Sequence, residues 1–425
     1  MWKGAKDALQ KGRTISRYLL LSFNRPQSRF IPDNQVDFPI IRRIRTTMPS
    51  EIPATVVISG TGLWTPEHII TNEEIVASYN AWTDKYNTEH ASAIQAGELE
   101  AKQKSSVEFI LKASGIKQRY VYVKDGILDI ERMRPAIPER PEDSLSNQAE
   151  IALHAARDAM KSANKTAADI DAVVVSCAYT QRAYPAIAIE VQNELGIMGF
   201  GFDMLVACSA ATFGLHRGYE MVAAGTARCV LLINPELISS QVDYCSRDSH
   251  FIFGDVATAV IVERADTCTS LHSYDILSTK AMTQFSSNVR SNFGILSRAS
   301  DVDPFSADKL FHQNGRKVYK EVCPMAEQHL RSHLESLGLT VPEIRRFWLH
   351  QANINMNTLI SNRLFDKEAG MDLAPIVLDQ YANTASAGSI IAFHLYNHDL
   401  ASSDIGVICS FGAGYSIGSL IVRKR

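Results

Sequence analysis

The pattern of hydrophobic and polar positions alternates between two kinds of segment. Short apolar runs at residues 54–60, 173–175 and 229–233 are too brief for helices and predict buried strands. Between them, apolar residues recur at helical spacing, for example over 147–163 and 317–337. Strands that alternate with helices indicate an α/β fold with buried sheets. The same order of elements recurs in the second part of the chain.

This repetition predicts two similar halves, at 48–265 and 266–425, preceded by an extension at 1–47. The 425-residue chain is 46% hydrophobic, enough to bury a large core. Its first 47 residues hold ten Lys or Arg and three Asp, a net charge of +7, so the remainder carries −10 of the total of −3. We interpret the extension as a disordered tail or an upstream mis-start before Met48, and exclude it from the fold.

Charge and cysteine content narrow the function. A net charge of −3 and a pI near 6.5 imply no general affinity for nucleic acid. No apolar run approaches the roughly 20 residues of a membrane helix. None of the cysteines form a Cys-x-x-Cys pair, which argues against a zinc site and fits a reducing cytoplasm. We therefore expect a cytoplasmic protein without metal or cofactor. The seven cysteines are Cys177, Cys208, Cys229, Cys245, Cys268, Cys323 and Cys409.

Two polar segments interrupt the alternation of strands and helices. Residues 79–106 favour helix but show no clear apolar face, which predicts a solvated insertion. Residues 125–146 are rich in Pro, Arg and Glu and predict a surface loop. Glycines at 60 and 62 suggest a dinucleotide loop, but the third glycine is absent and Pro66 follows, so we reject that motif.

The first candidate for chemistry is Cys208. The apolar run 204–207 leads into it, small residues follow, and apolar positions at helical spacing continue to Gly225. This pattern predicts a strand end, a tight turn and a buried helix with Cys208 at its N-terminus. The helix dipole there favours the nucleophilic thiolate. The alternative is an inert core cysteine, which a lone Cys in an apolar run more often is.

Two further candidates, His350 and Asn383, also sit where an apolar strand or loop leads into a helix. Reactive groups gather at such positions in α/β folds. Taken singly, a structural histidine and a helix cap are the ordinary interpretations. The flanking sequences are more distinctive: His-Gln-Ala-Asn at 350–353, Asn-Thr-Ala-Ser-Ala-Gly-Ser at 383–389 and Phe-Gly-Ala-Gly-Tyr at 411–415.

With the nucleophile segment 203–215 and Tyr381-Ala-Asn-Thr, these three motifs resemble, in order, the signatures of the β-ketoacyl-acyl carrier protein synthase III family. The likeness extends over about 55–425 and is nearest to the medium-chain branch, the β-ketodecanoyl-acyl carrier protein synthases. The resemblance implies the thiolase fold, in which two pseudo-duplicated α/β halves form a layered αβαβα core. It also implies a homodimer.

The resemblance further implies a decarboxylating Claisen condensation that initiates fatty acid synthesis. Cys208 would take an acyl group from a thioester primer, a medium-chain acyl-CoA. Malonyl-acyl carrier protein would then lose carbon dioxide, and the resulting enolate would attack the acyl-cysteine. His350 and Asn383 would donate hydrogen bonds to the malonyl thioester oxygen. The backbone N–H groups of Cys208 and Gly414 would form a second oxyanion hole.

Substrate-binding positions follow from the same resemblance, with departures. Phe109 and Ala113 stand where the family has Trp and Arg for the adenine end of coenzyme A, so Lys112 is the substitute cation. Tyr184 matches an aromatic residue that reaches across the dimer and walls the acyl pocket.

Binding of the acyl carrier protein is less well marked. Asn355 stands where many members have an Arg after the His-Gln-Ala-Asn motif. Arg363 matches another commonly basic position, and Arg345 or Arg346 would assist it.

Several alternatives remain at this stage. Thiolase proper would need a second catalytic cysteine, for which Cys409 is the candidate, and would leave Asn383 without a role. Hydroxymethylglutaryl-CoA synthase would need a glutamate that the Tyr184 region does not clearly supply. Plant-type polyketide synthases differ at 411–415. Two further alternatives remain. The chain could be a related condensing enzyme of secondary metabolism, or a non-catalytic acyl-binding or partner subunit of a ketosynthase.

Overall fold

The computed structural model describes residues 55–141, 143–303 and 306–425, and the predicted extension at 1–47 lies outside them. The strands are β1 Val56–Trp64, β2 His68–Thr71, β3 Gln118–Val121, β4 Ala172–Cys177, β5 Phe200–Leu205, β6 Cys229–Glu236, β7 Val256–Arg264, β8 Tyr274–Ser286, β9 Val289–Arg290, β10 His312–Gln313, β11 Ile344–Leu349, β12 Ile405–Gly412 and β13 Gly414–Lys424. The helices are α1 Asn72–Glu89, α2 Ala91–Gln95, α3 Val107–Ser114, α4 Asn147–Ser162, α5 Ile187–Leu195, α6 Ala210–Ala223, α7 Gly315–Glu335, α8 Ile354–Phe365, α9 Leu378–Tyr381 and α10 Gly388–Leu395.

Nine strands form one mixed sheet in the order β11-β12-β13-β8-β1-β7-β6-β4-β5. β4 runs parallel to β5 and β6, and β11 runs parallel to β12, while the other neighbours are antiparallel. Strands up to Arg264 occupy one side of the sheet and strands from Tyr274 the other, joined by a short β1–β8 pairing. The predicted boundary at 265/266 falls in the β7–β8 connection, and the duplication of the two halves stays a prediction.

Helices cover both faces of the two sheet halves and also fill the space between them. α6 and α10 lie in the middle, where Leu215 and Ile390 share one buried cluster with Val260, Trp348 and Leu420 from both halves. α4 and α5 pack on the outer face of the first half, and α7 and α8 on that of the second. The five layers follow the order αβαβα, and the predicted fold class is confirmed.

Glycines set the distance between α4 and β1. A Cβ at Gly62 would lie 2.1 Å from the Ala155 carbonyl oxygen, and one at Gly60 would lie 2.7 Å from that of Ala159. The Gly-Thr-Gly sequence therefore lies within a strand and admits a closely packed helix. This agrees with the rejection of a dinucleotide loop.

The predicted solvated insertion is partly wrong. It begins within α1, where Tyr79 and Thr83 are buried and the rings of Tyr79, Trp82 and Tyr86 follow one another along the helix. The Tyr79 ring stacks on His250 with 4.5 Å between centroids. Aromatic rings spaced three and four residues apart form a narrow apolar face that an average over polar neighbours hides. Residues 125–146, in contrast, form no helix or strand where described, as predicted.

No helix within the described ranges is both long and apolar enough to cross a membrane.

Candidate active site

Cys208 lies in a tight turn between β5 and α6. A 3₁₀ turn spans Ala207–Ser209, and Ala207 adopts a positive φ of 44°, which sharpens the turn. The buried Ser209 hydroxyl donates to the Ser416 carbonyl oxygen at 2.8 Å. Cys208 itself is partly exposed. The turn that presents the cysteine is therefore fixed to β13 of the other sheet half.

Gly412, at the end of β12, lies directly against Cys208. A Cβ at Gly412 would lie 2.7 Å from Cys208 Cβ and 3.0 Å from its backbone nitrogen. Only glycine allows the two backbones to approach so closely. Gly414 lies two residues further along, exposed and at the start of β13. Its role in an oxyanion hole stays a prediction.

His350 follows β11, beside the end of β12. The neighbouring pair Leu349 and Cys409 are in register, and the His350 ring lies edge-on to Phe411 with 5.1 Å between centroids. The histidine is 2% exposed, and its Nδ1 has no hydrogen-bond partner among the described residues. Burial lowers the pKa of His350 to about 3. The imidazole is therefore neutral at neutral pH.

Gln351 ties His350 to the segment that carries Asn383. Its Oε1 accepts the backbone N–H groups of Val377 and Leu378 at 3.0 and 3.2 Å, and its Nε2 donates to the Leu349 carbonyl oxygen at 2.9 Å. A Cβ at Gly388 would lie 2.8 Å from Gln351 Cβ, so the start of α10 packs closely on this side chain.

Asn383 is fixed by both its backbone and its side chain. The backbone N–H donates to the Ile252 carbonyl oxygen at 3.0 Å, and the carbonyl oxygen accepts the Gly254 N–H at 3.1 Å. Its Oδ1 accepts the N–H of Ala385 at 2.9 Å. The flanking Ala382 and Ala385 have positive φ angles of 58° and 49°. With Oδ1 occupied, Nδ2 is the end of the amide that can donate to a substrate.

These contacts bring the three candidate residues to one region. Cys208 meets Gly412, whose neighbour Phe411 touches His350. Cys208 also packs against the buried cluster that contains Phe253, and the backbone of Phe253 forms a β-bridge with Asn383. Three positions separated by 142 and 33 residues in the sequence are therefore linked through shared neighbours in one region of the fold.

The electrostatics at Cys208 correct one expectation. Burial raises the pKa of the thiol to about 12, and the nearby carboxyl of Glu236 raises it further. The 3₁₀ turn that holds Cys208 leads directly into α6, which begins at Ala210. The raised pKa favours the thiol over the expected thiolate.

A second group of contacts surrounds Phe109, on α3. The Arg247 guanidinium lies over the Phe109 ring, 3.7 Å from its centroid, and the Phe251 ring meets it edge-on. Lys112, the cation expected beside Phe109, is exposed on the same helix. Sequence reasoning missed Arg247 because it lies in an irregular turn 138 residues away, without a motif.

Contacts also connect α3 to the candidate active site. Asn353, three residues after His350, donates from Nδ2 to the Ala113 carbonyl oxygen at 2.5 Å. The Phe109 and Arg247 pair therefore belongs to the same side of the molecule as the start of α8.

The remaining predicted residues do not join this site. Arg363 lies near the far end of α8 and pairs with Glu327 at 3.4 Å. Arg346 is buried and pairs with Asp399 at 2.6 Å, so its suggested role in docking a carrier protein is wrong. Tyr184 is 79% exposed on the loop before α5.

Comparison with known proteins identifies the family. Two family profiles match, 3-oxoacyl-[acyl-carrier-protein (ACP)] synthase III at residues 202–283 and its C-terminal part at 334–424. A β-ketodecanoyl-[acyl-carrier-protein] synthase of Pseudomonas aeruginosa is 54% identical over 348 residues, which are 82% of this chain and 99% of that protein. The chain belongs to the 3-oxoacyl-[acyl-carrier-protein] synthase III family. The predicted family, its medium-chain branch and the acyltransferase class of enzyme are confirmed.

More distant members of the synthase III family agree. A β-ketoacyl-[acyl-carrier-protein] synthase III of Thioalkalivibrio sulfidiphilus is 26% identical over 371 residues, 86% of this chain and 98% of that protein. The crystal structure of the Aquifex aeolicus synthase III superimposes with a TM-score of 0.67 at 22% identity, covering 87% of this chain and 99% of the other. At that identity the superposition supports the fold alone.

Within the described ranges, no three or more His, Cys, Asp or Glu side chains are grouped closely enough to hold a metal ion.

Proposed function

We propose that the chain catalyses the decarboxylating condensation of a medium-chain acyl-CoA with malonyl-acyl carrier protein, giving β-ketoacyl-acyl carrier protein at the start of fatty acid synthesis. The observation that carries the proposal is the convergence of Cys208, His350 and Asn383 in a member of the synthase III family. All seven cysteines are unpaired, which supports a cytoplasmic location.

In the first half-reaction, Cys208 Sγ bonds to the thioester carbonyl carbon of the acyl-CoA and the carbon–sulfur bond to coenzyme A breaks. The cysteine proton leaves with the coenzyme A thiol, so the step needs no external proton. Because the pKa of Cys208 is high, the proton must be removed as the substrate binds. His350, whose imidazole is neutral, is the proposed group for its transfer.

In the second half-reaction, the malonyl group loses carbon dioxide. The electron pair of the broken carbon–carbon bond stays on the remaining thioester and forms an enolate. His350 Nε2 and Asn383 Nδ2 are the proposed donors to the enolate oxygen, and each such donor contributes about 3–4 kcal/mol to the transition state. The enolate carbon then attacks the acyl-cysteine carbonyl, the carbon–sulfur bond to Cys208 breaks, and the sulfur takes up a proton that comes from water. The backbone N–H groups of Cys208 and Gly414 are the proposed donors to the tetrahedral oxyanion.

The test is covalent loading of Cys208. Incubation with octanoyl-CoA should add one acyl group to the wild-type chain by intact mass, and Cys208→Ser should remain unmodified. An acyl group on another cysteine would refute the assignment. Tight binding of acyl thioester without any covalent mass would instead favour the non-catalytic acyl-binding subunit.

We further propose that Phe109 and Arg247 hold the nucleotide end of the acyl-CoA. An aromatic ring and a guanidinium at stacking distance suit a purine, and the guanidinium also attracts phosphate. Arg247→Ala should raise KM for octanoyl-CoA while leaving KM for an octanoyl-pantetheine thioester unchanged. Lys112→Ala, at the exposed lysine on the same helix, is the comparison. If Lys112→Ala raised KM for octanoyl-CoA more than Arg247→Ala does, Lys112 would be the cation that binds the nucleotide.

A homodimer and a docked carrier protein complete the proposal. β5 is an edge strand, and Leu205 on it and Met198 just before it are 56% and 86% exposed, with Tyr184 nearby in sequence. Such an apolar edge suits pairing with a second copy. Sedimentation of the wild-type chain should give twice the monomer mass. Leu205→Glu should shift the sedimenting mass toward that of the monomer. Arg363, half-exposed on α8, is the proposed contact for an acidic carrier protein.

A further inference from the structure

Glu236 is a buried carboxyl that the proposed chemistry does not use. It ends β6, and its side chain has no exposure to solvent. Both carboxyl oxygens accept the backbone N–H of Ala178, at 3.1 and 3.2 Å. One of them also accepts the hydroxyl of Ser386 and, at 3.4 Å, its backbone N–H. The carboxylate therefore connects β6 to the loop that carries Asn383.

A buried carboxylate without a cation is expensive in free energy, so its presence calls for a reason. No Lys or Arg in the described residues forms an ion pair with Glu236. A glutamine would fill the same volume without the charge, but its amide nitrogen would face the Ala178 N–H in place of the second acceptor oxygen. Three donor groups on two segments point at this carboxyl group, and an ionised carboxylate accepts from all of them.

We propose that Glu236 is a positioning residue that aims Asn383 at the malonyl thioester. Ser386 lies three residues after Asn383, and the intervening Ala385 is the partner of Asn383 Oδ1. Fixing Ser386 by two bonds fixes Ala385, and Ala385 in turn fixes the direction of Asn383 Nδ2. The inference rests on the proposed function, because the positioning role of Glu236 acts in the decarboxylation step of that reaction.

The two half-reactions should respond to Glu236 in opposite directions. Its negative charge raises the pKa of Cys208, so removing the charge should ease thiol deprotonation and acylation. Releasing the Asn383 loop should slow decarboxylation instead. A merely structural role would slow both steps together, so the direction of the two changes separates the interpretations.

The pH dependence gives a second readout. The titratable groups that face Glu236 are Cys177, Tyr179, Cys208 and Asp255, and none of them is a cation. Burial, with Asp255 as a further contributor, raises the pKa of Glu236 to about 7. The carboxylate is therefore present above that pH and is lost below it. The rate of decarboxylation by the wild-type enzyme should fall as pH falls through 7. This decrease in rate should be absent in Glu236→Gln.

The experiment compares three variants of the full-length chain. Glu236→Gln removes the charge, and Ser386→Ala removes one bond to the loop. Glu263→Gln is the matched control, a buried carboxyl on β7 that contacts Lys165 and Thr267 at the opposite end of the sheet. Acylation is followed by intact mass with octanoyl-CoA, and decarboxylation by release of labelled carbon dioxide from malonyl-acyl carrier protein.

Glu236→Gln should acylate at or above the wild-type rate and decarboxylate at least 10-fold more slowly. Ser386→Ala should slow decarboxylation by a smaller factor. Glu263→Gln should change the acylation and decarboxylation rates equally or not at all. The proposal would be overturned if Glu236→Gln slowed acylation and decarboxylation equally. It would also be overturned if Glu263→Gln slowed decarboxylation selectively, as Glu236→Gln is expected to do. If Glu236→Gln does not fold, unchanged decarboxylation in Ser386→Ala overturns it alone. A wild-type chain that never acylates would refute the proposed function instead.

Discussion

Replacing Gly412 by alanine tests how closely the rate depends on the position of Cys208. The new methyl carbon would lie 2.7 Å from Cys208 Cβ, 0.7 Å inside the 3.4 Å at which ordinary contact begins. The backbone at Gly412 lies outside the left-handed region, so alanine adds no backbone strain there. The methyl also approaches the Cys208 backbone nitrogen at 3.0 Å, so rotation of the side chain alone cannot relieve the contact.

The displacement sets the size of the effect. Overpacking of this kind costs about 1–3 kcal/mol of stability. A misplacement of about 1 Å at the reacting centre costs roughly 10²-fold in rate. A shift of 0.7 Å should therefore lower the rate of acylation by roughly 10- to 100-fold, which corresponds to about 1.4–2.7 kcal/mol of activation free energy.

The assay is single-turnover acylation with octanoyl-CoA, read by intact mass, together with thermal unfolding. Gly315→Ala is the matched control, because a Cβ at the start of α7 meets no atom within 4 Å. It should acylate at the wild-type rate. Wild-type acylation by Gly412→Ala, with an unchanged Tm, would show that the turn carrying Cys208 moves freely and would refute the reasoning.

Other predictions test the donors, the pocket and the core. Asn383→Ala should acylate Cys208 normally but lose about 10²–10³-fold in decarboxylation, measured as carbon dioxide release; equal loss in both steps would contradict the separation of roles. Acylation rates with two-, four-, eight- and twelve-carbon thioesters should peak near eight, since each buried methylene contributes about 0.8 kcal/mol; a maximum at two carbons would exclude a medium-chain pocket walled by Tyr184. Arg346→Ala should destabilise the fold by at least about 2 kcal/mol in urea, because it removes charged hydrogen bonds to Asp399 and to backbone carbonyls; an unchanged midpoint would contradict a role in the core.

Local patterns were sufficient for the elements that carry the candidate residues. The helix predicted after Cys208 is α6, and His350 lies between β11 and α8, where an apolar strand or loop was expected to lead into a helix. The reason is physical, because buried strands and amphipathic helices must repeat their apolar positions at fixed periods. The α/β class followed from the alternation of these elements, whereas the layered αβαβα arrangement was expected from the family resemblance.

Residues that act through long-range contacts were not predictable in the same way. The strand expected at 229–233 continues through Asn-Pro-Glu to Glu236, although proline in a sheet interior is rare. The proposed role of Arg247 depends on its contact with Phe109, and the pKa of Cys208 depends on how far the completed fold shields the thiol from solvent. No periodicity in the chain encodes such pairings.

The hydroxyl bond from Ser209 to Ser416 spans 207 positions of the sequence, which has a consequence for biosynthesis. The segment with Cys208 is translated well before β12 and β13, and pairings this distant form late because loop closure is slow. Until those strands join the sheet, the cysteine lacks Gly412 against it and lacks the neighbours of His350. The contacts that position Cys208 in the folded enzyme should therefore be complete only after synthesis has passed the β12–β13 hairpin.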